Sequence, residues 1–163
     1  MRTVRTVTEL RGALEPERGS ARTIGLVPTM GAFHDGHLSL MRRARADCDV
    51  VVVSLFVNPA QFAPGEDLEA YPRDPERDSA LAEAEGADYL FTPAADEVYP
   101  PGFDTLVRVG GLTDVLCGEG SRRGPDHFDG VTTVVTKLLN MAQPDVAYFG
   151  QKDAQQALVV RKL

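Results

Sequence analysis

Tryptophan is absent from the chain, cysteine occurs twice and histidine three times. No apolar run approaches the roughly 20 residues that a membrane-spanning helix needs, so a membrane protein is not expected. Basic residues are in short supply, 17 Lys and Arg against 24 Asp and Glu for a net charge of −7. That balance argues against a surface built to coat nucleic acid, which calls for clustered cations. It leaves room for a small anionic ligand, because local groups set the potential of a single cleft. Cys48 and Cys117 have no metal-ligand spacing, and two cysteines do not make a disulfide scaffold, so a reduced, cytoplasmic protein is the simpler reading. Arg2, Arg5 and Glu9 interrupt the N-terminus, which therefore does not read as a signal peptide. Repeats and low-complexity tracts are lacking too. What remains is 163 residues, 43% hydrophobic and 25% charged, an ordinary composition for one globular domain spanning 1–163.

Apolar runs rich in β-branched residues fall at 23–27, 49–57, 88–91, 105–109 and 145–149, and each is expected to be a strand. Helical segments lie between most of them. Thr6 and Glu9 form a capping-box signature that opens the first. Leu38, Met41 and Arg45 continue a second, and Asp74-Pro75 starts a third that runs to about Glu85. Val131, Val134, Val135, Leu138 and Leu139 form the stripe of a long helix over 127–141 that packs on a sheet, and 153–163 reads as a last helix. Alternating strands and helices predict an α/β fold: a doubly wound, mostly parallel Rossmann-type sheet with helices on both faces. Ligands in such folds lie beyond the carboxyl ends of the strands at a topological switch point. The chain stops inside an apolar-periodic pattern with neither glycine cap nor proline stop. It is therefore expected to be a nucleotide-binding domain cut from a longer enzyme.

The most informative stretch is Val27-Pro-Thr-Met-Gly-Ala-Phe-His-Asp-Gly-His-Leu-Ser-Leu40. A strand, a glycine turn and a helix start together gather anions, because the first helical N–H groups lack internal partners and the dipole is positive there. His34 and His37, three apart, are expected to share a face and donate to the oxygens of one phosphate. A metal site is the weaker reading, since no third ligand lies nearby. Gly31 and Gly36 suit positive φ and close approach of phosphate, although a plain tight turn needs the same letters.

Asn58-Pro-Ala-Gln61 leaves a strand that is almost wholly apolar, and its amides could bond a hydroxy acid without adding charge. Gly150, Gln151, Lys152 and Asp153 repeat the strand-to-helix theme. Lys152 offers phosphate a point charge and Asp153 offers a ribose hydroxyl an acceptor, while Asp153 with Gln156 also reads as a capping box. Arg122, Arg123 and His127 belong to a glycine-rich loop that either covers a ligand or is plain surface. The acidic stretch 66–69 and the helix 74–85 read as a solvated face rather than a site.

In order along the chain, Pro28-Thr-Met-Gly-x-x-His-Asp-Gly-His37, Phe56-Val-Asn-Pro-x-Gln-Phe62, Tyr71-Pro-Arg73, His127-Phe-x-Gly-Val131 and Gln143-Pro-Asp-Val-Ala-Tyr-Phe-Gly-x-Lys-Asp-x-Gln-Gln156 resemble the pantothenate synthetase (pantoate–β-alanine ligase) family. That family lies within a wider class sharing the His-x-Gly-His turn. The resemblance implies a cytoplasmic homodimer that joins pantoate to β-alanine through a pantoyl adenylate, using ATP with Mg²⁺. ATP would be bound by Met30, Gly31, Ala32, Phe33, His34, Asp35, Gly36, His37, Gly150, Gln151, Lys152 and Asp153. His37, as proton donor, with His34 and Lys152 would form the catalytic set, and Asn58, Gln61, His127 and Gln156 would hold pantoate and β-alanine. The metal ligands are left unassigned.

Three features depart from the family pattern. The segment Arg122-Arg-Gly-Pro-Asp-His-Phe128 is one residue longer than in other members, Gln151 stands for a usual Glu, and Ala154 stands where an aromatic is common. The family's small C-terminal domain, with a serine–arginine loop closing over ATP, has no counterpart here, so poor turnover is expected. Two other readings stay open: an adenylyltransferase of the same class, and a non-catalytic nucleotide-binding dimerisation fragment.

Overall fold

Residues 1–62, 68–116 and 127–163 are described by a computed structural model. Thr6 opens α1 (Val7–Gly19) with the expected capping box: its side chain accepts from the Glu9 N–H while the Glu9 carboxylate accepts from the Thr6 N–H. Asp74 caps α3 (Pro75–Ala84) ahead of a proline at the first helical position, where a missing N–H costs nothing. The other long helices are α2 (Asp35–Asp47), α6 (His127–Ala142) and α7 (Ala154–Lys162), with short α4 (Ala95–Val98) and α5 (Leu112–Val115) between. Asp153 precedes α7 but its side chain makes no cap bond, so the expected capping box with Gln156 does not form.

Five strands, β1 (Arg2–Val4), β2 (Ile24–Thr29), β3 (Val50–Leu55), β4 (Tyr89–Phe91) and β5 (Val146–Ala147), make one sheet in the order β1-β4-β3-β2-β5. All four pairings are parallel. From β2 the chain steps to β3 and then β4 on one side, whereas β5 returns to the other side of β2. The strand order thus reverses beside β2, and the crevice opens there. Anchoring is unequal: β2 and β3 share six residue pairs, β2 and β5 only two. Asp145 supports the short strand by accepting from the Ile24 N–H at 2.8 Å.

Side chains alternate across the sheet. Val50 and Val52 pack with Leu10 and Leu14 of α1 and with Val131, Val134, Val135 and Leu138 of α6. Val51 and Val53 pack with Leu38, Met41 and Ala44 of α2 and Ala82 of α3. Helices therefore cover both faces, as the sequence pattern predicts.

Two strand expectations differ from the structure. Residues 105–109 are not in the sheet: they run beside α6, where the Val107 N–H donates to Thr133 and the Thr132 hydroxyl donates to the Val107 carbonyl. Threonines on a helix supply the partners a neighbouring strand would have given. Conversely, β1 is an edge strand of three residues with only Val4 buried, too short and too polar to show a period.

Candidate active site

The carboxyl ends of β2, β3 and β5 converge on a cavity of about 420 Å³. β2 delivers Pro28, Thr29, Met30, Gly31 and Ala32, followed by His34 and His37; the segment after β3 delivers Asn58 and Gln61. Lys152, Asp153 and Gln156 come from the segment after β5, and α6 completes the wall with Val131, Val134, Val135 and Leu138. The sequence-predicted site residues Met30, Gly31, Ala32, His34, His37, Asn58, Gln61, Lys152, Asp153 and Gln156 are thus brought together.

The turn after β2 is unusual backbone. Gly31 has φ +88° and Ala32 has φ +51°, a left-handed pair that costs a residue with a Cβ about 1–2 kcal/mol. Gly36, in contrast, is an ordinary residue in the first turn of α2. Its smallness has another reason: a Cβ there would lie 2.8 Å from Cε1 of His34. His34 precedes α2 rather than starting it, and its Nδ1 accepts the Gly36 N–H at 3.0 Å. That bond leaves Nε2 as the ring's donor. The His34 and His37 ring centroids are 4.3 Å apart, so both imidazoles meet at one place.

His37 is held below the ordinary imidazole value of 6.5, first by burial and then by the nearby His34 and Lys152 charges, with Asp78 and Asp153 opposing. Its Nδ1 is buried without a hydrogen-bond partner among the described residues. A ring in this state is neutral near pH 7. A neutral ring donates a hydrogen bond through one nitrogen and accepts through the other.

Three backbone N–H groups of this strand–turn–helix segment already have partners within the fold. The Ala32 and Phe33 N–H groups are taken by Asp78 and the Gly36 N–H by His34. Lys152 is the only Lys or Arg among the described lining residues of the cavity.

Behind Gln61 stands a neutral network. Asn58 is 1% exposed. Its Nδ2 donates to Gln61 Oε1 and to the Gly130 carbonyl, both at 3.0 Å, and its Oδ1 accepts from the Tyr99 hydroxyl at 2.7 Å and from the Ala60 N–H at 3.3 Å. With its acceptor engaged there, Gln61 turns its amide N–H₂ elsewhere, as a donor. Burial pushes the Tyr99 hydroxyl up to about 12, the Asn58 bond opposing, so it stays a donor throughout the neutral range. Gly130 is required by proximity, since a Cβ there would lie 2.1 Å from the Ala60 carbonyl oxygen.

Several expected ligand contacts fall outside the cavity lining. Phe33 is a core residue, 1% exposed and packed with Val27 and Met41. His127 is buried beside α6, with Nδ1 3.1 Å from the Gln61 carbonyl, so it supports the loop that presents Gln61. Asp35, Gly36, Gly150 and Gln151 do not line the cavity either. Arg122, Arg123 and Cys117 lie outside the described residues, while Cys48 is buried with a free thiol. Sequence reasoning passed over Pro28, Phe56 and the α6 valines. Their periodicity is that of a core stripe, and the stripe does pack on the sheet, with its end facing the crevice.

Among the described residues no helix is long and apolar enough to cross a membrane, and no group of three His, Cys, Asp or Glu side chains is placed to hold a metal.

Known proteins share this fold. The pantothenate synthetase of Heliobacterium modesticaldum is 58% identical over 163 residues, all of this chain and 57% of that protein. Pantothenate synthetase from Thermus thermophilus superposes with a TM-score of 0.90 at 55% identity, covering 99% of this chain and 56% of that one. The pantoate–β-alanine ligase of Francisella tularensis, solved with β,γ-ATP and β-alanine, gives a TM-score of 0.89 at 35% identity, covering 99% of this chain and 61% of that one. The chain thus spans little more than half the length of these relatives. The family model described as pantoate-beta-alanine ligase matches residues 2–163, and the chain belongs to that family.

Proposed function

We propose that this chain binds ATP and pantoate side by side and catalyses the ATP-dependent joining of pantoate to β-alanine. A pantoate carboxylate oxygen attacks the α-phosphorus of ATP, the bond to the bridging oxygen breaks, and pyrophosphate leaves. The β-alanine amine then attacks the acyl carbonyl of the bound pantoyl adenylate, loses its proton and expels AMP, giving pantothenate.

The observation that carries this reading is the chemical division of one cavity. His34, His37 and Lys152 offer donors and a cation; Pro28, Met30, Phe56, Val131, Val134, Val135 and Leu138 offer an apolar wall; Gln61 and Gln156 offer carboxamides. A triphosphate suits the first set. A small branched hydroxy acid suits the other two, its methyl groups on the valines and its oxygens on the amides. His34 through Nε2–H and neutral His37 stabilise charge building on the phosphoryl oxygens, and Lys152 balances the departing pyrophosphate. Catalysis on this reading is alignment plus fixed electrostatics, with no covalent nucleophile. Phe33, Asp35, Gly36, Gly150 and Gln151 shape the ATP site from outside the lining, and Asn58 and His127 hold Gln61 towards pantoate and β-alanine.

ATP enters as its magnesium complex. Asp153 is the only carboxylate among the described lining residues and makes no cap bond, which fits a hard cation held mainly by phosphates and water, whose charge it would neutralise. By the same likeness the protein is a cytoplasmic homodimer, and the free thiol of Cys48 agrees with a reducing compartment.

The test is pyrophosphate release from ATP, with calorimetric titration of each substrate. Release that depends on pantoate, followed by AMP formation only when β-alanine is added, is expected. Release with phosphopantetheine in place of pantoate would make the chain an adenylyltransferase, and binding without release would make it a scaffold.

A further inference from the structure

One buried ionisable group has no part in this chemistry. Asp78 lies in α3, the helix that reads from sequence as a solvated face, yet it is 1% exposed. No cation pairs with it among the described residues. A carboxylate taken out of water without a counter-ion is costly unless strong hydrogen bonds replace the lost hydration. Both of its oxygens are so engaged: Oδ2 accepts the Ala32 N–H and Oδ1 the Phe33 N–H, each at 2.8 Å. Its neighbour Arg77 donates to the Phe33 carbonyl at 3.2 Å, so α3 grips the Phe33 backbone at both of its polar groups.

What α3 grips is the left-handed pair Gly31 and Ala32, a conformation the chain would not hold unaided, since Ala32 has a Cβ. The next residues carry both imidazoles. We propose that Asp78 is a positioning residue: its two-oxygen hold on the Ala32 and Phe33 amides fixes the turn that aims His34 and His37 into the cavity. The hold also commits those two amides to the fold. An asparagine cannot replace it. Its single oxygen satisfies one amide, and its N–H₂ confronts the other with a second donor.

The aim of the rings towards phosphate rests on the proposed function, but their orientation is measurable without ligand. The chain has three histidines, whose ring signals are resolved by NMR, and His127 on α6 serves as an internal control of folding. In Asp78→Asn, isosteric and uncharged, the His34 and His37 signals are expected to change their through-space contacts, not only their shifts, while those of His127 stay. ATP affinity should fall about tenfold or more, the range for losing a hydrogen bond to a charged group. If all three keep their contacts, whatever their shifts, Asp78 is a packing residue and the proposal is overturned. If all three collapse to unfolded positions, hydrogen exchange in the unaltered chain decides: protected Ala32 and Phe33 amides support the hold, and exchange at the rate of open loops overturns it. Failure of ATP to shift His34 and His37 in the unaltered chain would strike the ligase reading while leaving the positional claim intact.

Discussion

The turn after β2 and the loop after β3 leave neighbouring strands of one sheet and reach the same cavity, yet they are braced by opposite chemistry. The first is held by a buried carboxylate on strained backbone, the second by carboxamides, a phenol and backbone groups around Asn58. The difference follows the ligand each is proposed to meet. The Asp78 carboxylate behind the histidines opposes the lowering of the His37 pKa by burial, His34 and Lys152. Behind Gln61 a charge would compete for the same donors that a hydroxy acid needs, and a saturated neutral network leaves them free.

Breaking the first brace at its working end should have the largest effect. His37→Ala is expected to slow pantoate-dependent pyrophosphate release by about 100–1,000-fold, corresponding to ~2.7–4 kcal/mol for one lost charge-stabilising donor. A near-normal rate would remove His37 from the chemistry. Breaking the second brace calls for no polar change. Gly130→Ala places a methyl group 2.1 Å from the Ala60 carbonyl oxygen, and overpacking of this kind costs about 1–3 kcal/mol. Lower Tm and weaker pantoate binding with intact ATP binding are expected, by calorimetry. Equal losses for both ligands would mean that the two regions are not independent.

The smallest effect sharpens the comparison through pH. Because His37 titrates below 6.5 in the folded chain, the unfolded state binds more protons in the window beneath that value. Stability should therefore be undiminished above pH 6.5 and fall as pH drops through the window. His37→Gln should flatten this part of the Tm–pH curve, and Gly130→Ala should shift the curve without changing its slope. An unchanged slope in His37→Gln would show that the imidazole is not desolvated.

Much of this was legible in the residues. The period of the strands and helices, the capping box at Thr6 and the proline after Asp74 are local signals, and local physics decided those elements. His34, His37, Lys152 and Gln61 were legible because polar groups follow the carboxyl ends of apolar strands. Asp78 was not, since one acid among several on a helix looks solvated until the fold shows what lies over it. The α6 valines were missed for the converse reason: a stripe that packs on a sheet and a stripe that lines a cleft are written in the same letters. Residues 105–109 misled because threonines on α6 satisfied an extended segment without a ladder.

The two sides of the crevice are hung on the sheet with different stiffness. The histidine side continues a strand bonded along six residue pairs, whereas the side bearing Lys152 and Asp153 follows one joined by two. On the proposed function, a nucleotide arriving between them meets a firmly bonded side at the histidines and a less extensively bonded one at the lysine. Adjustments to ligands of different girth should be absorbed by the lysine side, leaving the imidazoles in place.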